Sequence, residues 1–101
     1  MNDNIIIGII HIKKEELRQR IINSYENLKE ENPDWFWNEI ETKENGKEIK
    51  ECIIFINDEN IGFNYYYDFP NPGIYIIKYC FKNLLTSTNF MFHSCNSLIF
   101  I

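Results

Sequence analysis

Lys13-Lys14-Glu15-Glu16-Leu17-Arg18-Gln19-Arg20-Ile21-Ile22-Asn23-Ser24-Tyr25-Glu26-Asn27-Leu28-Lys29-Glu30-Glu31-Asn32 decides the fold, because it supports two readings with different topologies. Leu17, Ile21, Tyr25 and Leu28 lie three or four apart with charged and amide side chains between them, the spacing of one amphipathic helix. Alternatively, Arg20-Ile21-Ile22 is a strand and Asn23 caps a short helix from Ser24 to about Glu31, with Glu26 three residues on closing a capping box. The second reading orders the chain as strand, strand, helix and three strands, compatible with a β-grasp sheet wrapped on one helix.

Outward from this segment, strands dominate. In 4–12 nearly every position is Ile, so both alternating faces are apolar, as in a central strand covered on both sides. Cys52-Ile53-Ile54-Phe55-Ile56 repeats that logic, Asn57-Asp58-Glu59-Asn60 is a turn, and Ile61 to Phe69 returns as the second arm of a hairpin. Within that arm Phe63, Tyr65, Tyr67 and Phe69 share a face opposite Asn64, Tyr66 and Asp68. Pro70-Asn71-Pro72-Gly73 breaks the strand in a type II pattern, with Gly73 supplying a positive φ. The next strand, 74–82, sets Tyr75, Ile77, Tyr79 and Phe81 against Ile74, Ile76, Lys78, Cys80 and Lys82. Pro33-Asp34 and the charged stretch Glu41 to Lys50 form an exposed connector, with Trp35, Phe36 and Trp37 tucked beneath it or capping the core edge.

At 101 residues, with 45% hydrophobic and 16% aromatic side chains, the chain holds one modest core. Its net charge of −5 lacks the clustered basic surface of a nucleic-acid binder. The apolar run Ile5 to Ile10 has no basic residue before it and is too short for a leader or a membrane span, which points to an intracellular, cytoplasmic setting. Cys52, Cys80 and Cys95 are an odd set with no CxxC spacing, against a disulfide framework.

From Phe81 the texture changes. Leu85, Thr88, Phe92 and Cys95 fall three or four apart, and an apolar run begins at Leu98, the pattern of one helix-to-strand unit of a repeat. Met91-Phe92-x-x-Cys95-x-Ser97-Leu98-x-x-Ile101 resembles the repeat signature of the BspA-like leucine-rich-repeat proteins at every fixed position. Arg20 to Glu26, and Gly73-x-Tyr75-x-Ile77-Lys78-Tyr79-x-Phe81-Lys82-Asn83, resemble the domain that precedes such arrays in some eukaryotic members. The diagnostic motif occurs once, whereas a solenoid unit needs about three copies to bury its face. Because the sequence stops on Ile101 inside the first repeat strand, the expectation is a truncated relative, a tail folded back on the domain, or a stack completed by a partner. The resemblance implies recognition or adhesion without chemistry or cofactor, and several such proteins sit at the cell surface.

Candidates for chemistry are weak. His11, His93 and the cysteines offer only His93-x-Cys95 as a local pair, short of a zinc knuckle or an oriented Cys–His nucleophile. The segment 57–68 superficially matches a calcium loop with Gly62 at the sixth position, but Ile61 stands where an oxygen ligand belongs and Asp68 where Glu is usual. Tyr65-Tyr66-Tyr67 exposes at most Tyr66 for stacking, and Glu39, Glu41, Glu44, Glu48 and Glu51 fit a solvated connector. With four glycines, none in a spaced series, there is no phosphate loop.

The sequence therefore predicts an α+β domain, mostly antiparallel sheet with one short amphipathic helix, over 1–82, followed by a leucine-rich-repeat unit over 83–101. An Ig-like sandwich is the alternative fold. The expected function is a non-catalytic protein-interaction module without cofactor or metal, capping or docking on a repeat array or on a second copy of itself. Its expected contact residues are Phe90, Met91, Phe92, Leu98, Phe100 and Ile101. A structural subunit of a larger assembly, or a truncated relative without function, is the alternative.

Overall fold

The computed structural model describes residues 4–35, 46–82 and 91–100. In chain order the elements are β1 (Ile5–Ile12), β2 (Arg18–Arg20), α1 (Tyr25–Glu31), α2 (Gly46–Lys50), β3 (Ile53–Ile56), β4 (Glu59–Gly62), β5 (Tyr66–Asp68), β6 (Gly73–Cys80) and β7 (Leu98–Phe100). Five strands form one sheet in the order β4-β3-β6-β1-β7, and β2 pairs with β5 in a separate ribbon. Every described pairing is antiparallel. The fold is thus α+β and mostly antiparallel sheet, with two helices among the described residues where one was expected.

The isoleucine run and the aromatic strand make the middle of the sheet, paired from Ile5 opposite Cys80 to Ile12 opposite Gly73. On the inner face Ile10, Ile12, Ile54, Ile77 and Tyr79 are buried beneath Ile21, Ile22, Ile49, Phe69, Phe81 and Met91. Tyr79 is fully buried, and its hydroxyl donates to the Ile21 carbonyl at 2.6 Å, which lets a tyrosine fill a core position without stranding its O–H. On the outer face Ile5, Ile7, Ile74 and Ile76 are exposed. The expectation that β1 is covered on both sides is corrected: helices and loops cover one face only, and the second apolar face lies open among the described residues.

The segment that decides the fold takes the strand-then-helix order, but the strand is Arg18–Arg20 rather than the expected Arg20-Ile21-Ile22, and α1 begins after Ser24. Ser24, not Asn23, is the N-cap, since its Oγ accepts from the Asn27 N–H at 3.1 Å. Glu26 does not close a capping box. Its carboxylate accepts instead from the Gly46 N–H at 2.8 Å, where an anion suits the first turn of α2. The expected connector is also corrected over 46–50, which is helical because Ile49 is fully buried and ties that turn to the core; 36–45, with Phe36, Trp37, Glu39, Glu41 and Glu44, lie outside the described residues.

The hairpin turn is tighter than expected. Asn57 and Asp58, with φ of 49° and 69°, form a two-residue connection of the I′ kind, and Glu59 and Asn60 already belong to β4. Asn57 is anchored twice to Ile76, donating from its N–H at 2.8 Å and accepting on Oδ1 at 2.9 Å. The arm expected over 61–69 is broken in two. Gly62, at φ 71°, ends β4, and β5 leaves the main sheet to pair with β2. The alternation survives that break: Asn64, Tyr66 and Asp68 are exposed, while Phe63, Tyr65 and Tyr67 are half-buried and Phe69 is buried.

Candidate interaction surface

The last described segment is fastened at both ends. Asn23, fully buried, donates from its backbone N–H to the Met91 carbonyl and from Nδ2 to the His93 carbonyl at 3.1 Å. Its Oδ1 accepts from the Ser24 N–H at 2.8 Å. Two turns follow, closed by Cys95 N–H to Phe92 O and Leu98 N–H to Cys95 O, with Ser94 left-handed at φ 65°. The chain then enters β7, which pairs with β1 through Gly8 opposite Phe100 and Ile10 opposite Leu98.

Gly8 explains why this strand fits there. A Cβ at that position would stand 3.0 Å from Leu98 Cδ1 and 3.2 Å from the Ile99 carbonyl oxygen, so any larger residue requires β7 to give by a few tenths of an ångström. The aromatic side chains complete the seat: Phe92 meets Tyr79 edge-on at 5.3 Å and Phe100 at 4.4 Å.

The six expected contact residues separate accordingly. Met91 is core, 2% exposed, and is not offered to a partner. Phe92 and Leu98 are half-buried, Phe100 is 45% exposed, and Phe90 and Ile101 lie outside the described residues. Ile99 was missed by the sequence reading and is 69% exposed on the outer face. Phe92, Leu98 and Phe100 therefore mark the place where the core layer runs out at the sheet edge. Among the described residues β7 has a hydrogen-bonded neighbour on one side only, leaving backbone donors and acceptors directed outward.

Around Arg20 the polar side chains pair with one another. Arg20 is buried and donates to Glu31 at 2.6 Å, to the Tyr66 hydroxyl at 2.7 Å and to the Ile22 carbonyl at 3.0 Å. Its guanidinium stacks 4.4 Å from the Tyr66 ring, and Arg18 approaches the same ring at 5.0 Å. A groove of about 460 Å³ lined by Arg18 and 64–68 adjoins this cluster. Tyr66 is thereby an exposed brace holding β5 to α1 rather than a free stacking platform, its hydroxyl also donating to Glu31 at 3.1 Å.

Burial pushes the Cys52 thiol up to about 12, with Cys80 nearby adding to the rise and a backbone hydrogen bond at Cys80 opposing it. Burial likewise raises Cys95 to about 12, partly offset by the Arg20 guanidinium. Both are protonated at neutral pH. Cys95 Sγ lies 3.9 Å from the His93 carbonyl oxygen, while the His93 ring meets Trp35 edge-on at 6.0 Å. No group of three or more His, Cys, Asp or Glu side chains converges among the described residues, and no described helix is long and apolar enough to cross a membrane. Comparison with protein-family models, curated proteins and solved structures finds no match to this chain.

Proposed function

We propose that this chain is a non-catalytic interaction module whose β7 edge receives a further strand, in the manner of a leucine-rich-repeat array of the BspA-like kind. The observation that carries the reading is the open edge of β7, where Phe100 is 45% exposed beside half-buried Phe92 and Leu98. A strand added there satisfies the outward N–H and C=O groups and continues the sheet. Side chains from the same unit cover the rings that the domain leaves half-covered. At about 25 cal/mol per Å², covering a few hundred Å² contributes several kcal/mol.

The test extends the chain after Ile101 with two consensus repeats of the Met-Phe-x-x-Cys-x-Ser-Leu-x-x-Ile type. The expected result is one cooperative melt at a higher temperature, with slower amide exchange at Leu98, Ile99 and Phe100. Repeats that melt separately, or leave exchange in β7 unchanged, overturn the reading.

A further inference from the structure

We infer that the outer face of the five-stranded sheet is a second docking surface, distinct from the β7 edge, for an aliphatic protein surface that carries a carboxylate. Five isoleucines show on it: Ile5 at 39%, Ile7 at 40%, Ile53 at 45%, Ile74 at 68% and Ile76 at 52% exposure. With Ile99 beside them, the open apolar area is on the order of 500 Å², the size of a functional patch and a large part of one partner's share of a standard interface. Isoleucine on a solvated strand face is otherwise replaced by polar residues in alternation, as on β5.

The charge on the face names the partner's chemistry. Lys78 is half-buried on the central strand, opposite Ile7 on one side and Phe55 on the other, with its ammonium 5.6 Å from the centre of the Phe55 ring. His11 stands at the rim opposite Ile74. Among the described residues no carboxylate holds a register position on this face, and Lys78 has no ion pair. Any surface laid over the isoleucines strips water from that ammonium and must return an acceptor, most effectively a carboxylate.

Two other occupants fail on the same ground. A second copy brings its own lysine, no carboxylate on the matching face, and a net charge of −5 against −5. An anionic membrane is held by several basic residues with Trp or Tyr at the interface, whereas this face offers one lysine and neither aromatic at its register positions.

The test immobilises the full chain and selects binders from a displayed library of three-helix bundles randomised on one face. Selected binders are expected to carry an Asp or Glu, and to lose at least about tenfold in affinity for Ile76→Asp and for Lys78→Glu proteins. Changing that acid to Lys abolishes binding to the parent and restores it to Lys78→Glu. Ile74→Asp, at the most exposed of the five positions, repeats the first comparison should Ile76→Asp melt early. Binders without an acid, or indifferent to Lys78→Glu, overturn the inference. So does a concentration-dependent dimer in light scattering, or binding to phosphatidylserine vesicles, that Ile76→Asp abolishes. Extension of β7 by added repeats is untouched by these substitutions, so failure of either proposal is read separately.

Discussion

The side chain of Asn23 donates a hydrogen bond to the carbonyl of His93, 70 residues away in sequence, and so ties the entry of α1 to the turn that launches β7. A fully buried amide joining these two turns is a latch, and its loss takes the acceptor from the buried Ser24 N–H as well as one donor from the His93 carbonyl. Asn23→Ala is expected to lower stability by about 1–3 kcal/mol and to speed amide exchange in 91–100 more than in β3. Equal acceleration across the sheet would show that Asn23 serves only local helix entry.

Gly8 makes the matching prediction from the other side of the seat. Gly8→Val inserts an isopropyl group, a Cβ and two methyl groups, against Leu98 Cδ1 and the Ile99 carbonyl, with no flexible neighbour to yield on the backbone side. The expected result is loss of protection at Ile99 and Phe100 with β1–β6 pairing retained, followed by nuclear magnetic resonance. Retention of β7 protection would show that the strand shifts outward without releasing.

Tyr79 and Lys78 are neighbours on β6 with opposite surroundings. Tyr79→Phe removes the only donor described for the Ile21 carbonyl and should cost about 1–3 kcal/mol. Tyr79→Ala should cost roughly 3–5 kcal/mol, and Lys78→Ala should stay within about 0.5 kcal/mol. Denaturant midpoints check all three; a Lys78→Ala effect as large as that of Tyr79→Phe would reverse the assignment of faces.

Alkali gives the fourth prediction. Cys52 and Cys95 are raised from 9.0 to about 12 in the fold, and burial lifts Tyr79 above its ordinary value as well. A group that holds its proton longer when folded leaves stability intact below its unfolded pKa and removes it as pH rises beyond, since the unfolded chain gains the anion first. The melting temperature is therefore expected to fall between about pH 9 and 12, less steeply for a Cys52→Ala, Cys95→Ala double variant. An identical slope for the variant would show that the thiols titrate alike in both states.

Much of the sheet is legible in the sequence because burial enforces period two. The alternation in 74–82 assigns Ile77, Tyr79 and Phe81 inward correctly, and the same rule holds through 63–69 even though β5 leaves the main sheet. That departure is illegible because it turns on Gly62, whose positive φ ends β4, and glycine in a strand pattern gives no direction for the exit. The choice of cap fails for a related reason: Asn23 and Ser24 both suit the position, and only the tail, returning from residue 91 onward, engages Asn23 elsewhere. α2 is hidden in a charged run whose one informative residue, Ile49, shows no period by itself. At the candidate surface the repeat-like spacing groups Met91 with Leu98, although Met91 is core and Leu98 lies at the edge, because a single motif does not reveal which of its apolar residues face the domain behind it.

The notch at Gly8 has a consequence for how the chain finds its own alignment. Seven of the eight residues of β1 carry side chains and six of them are isoleucine, so the strand offers nearly the same profile whether a neighbour lies in place or two residues along. His11 marks the outer face, but on the inner face, among Ile6, Ile10 and Ile12, only the gap left by a missing side chain distinguishes one placement from the next, and it sits where the final strand passes closest. On that uniform inner face, the smallest residue carries the positional information.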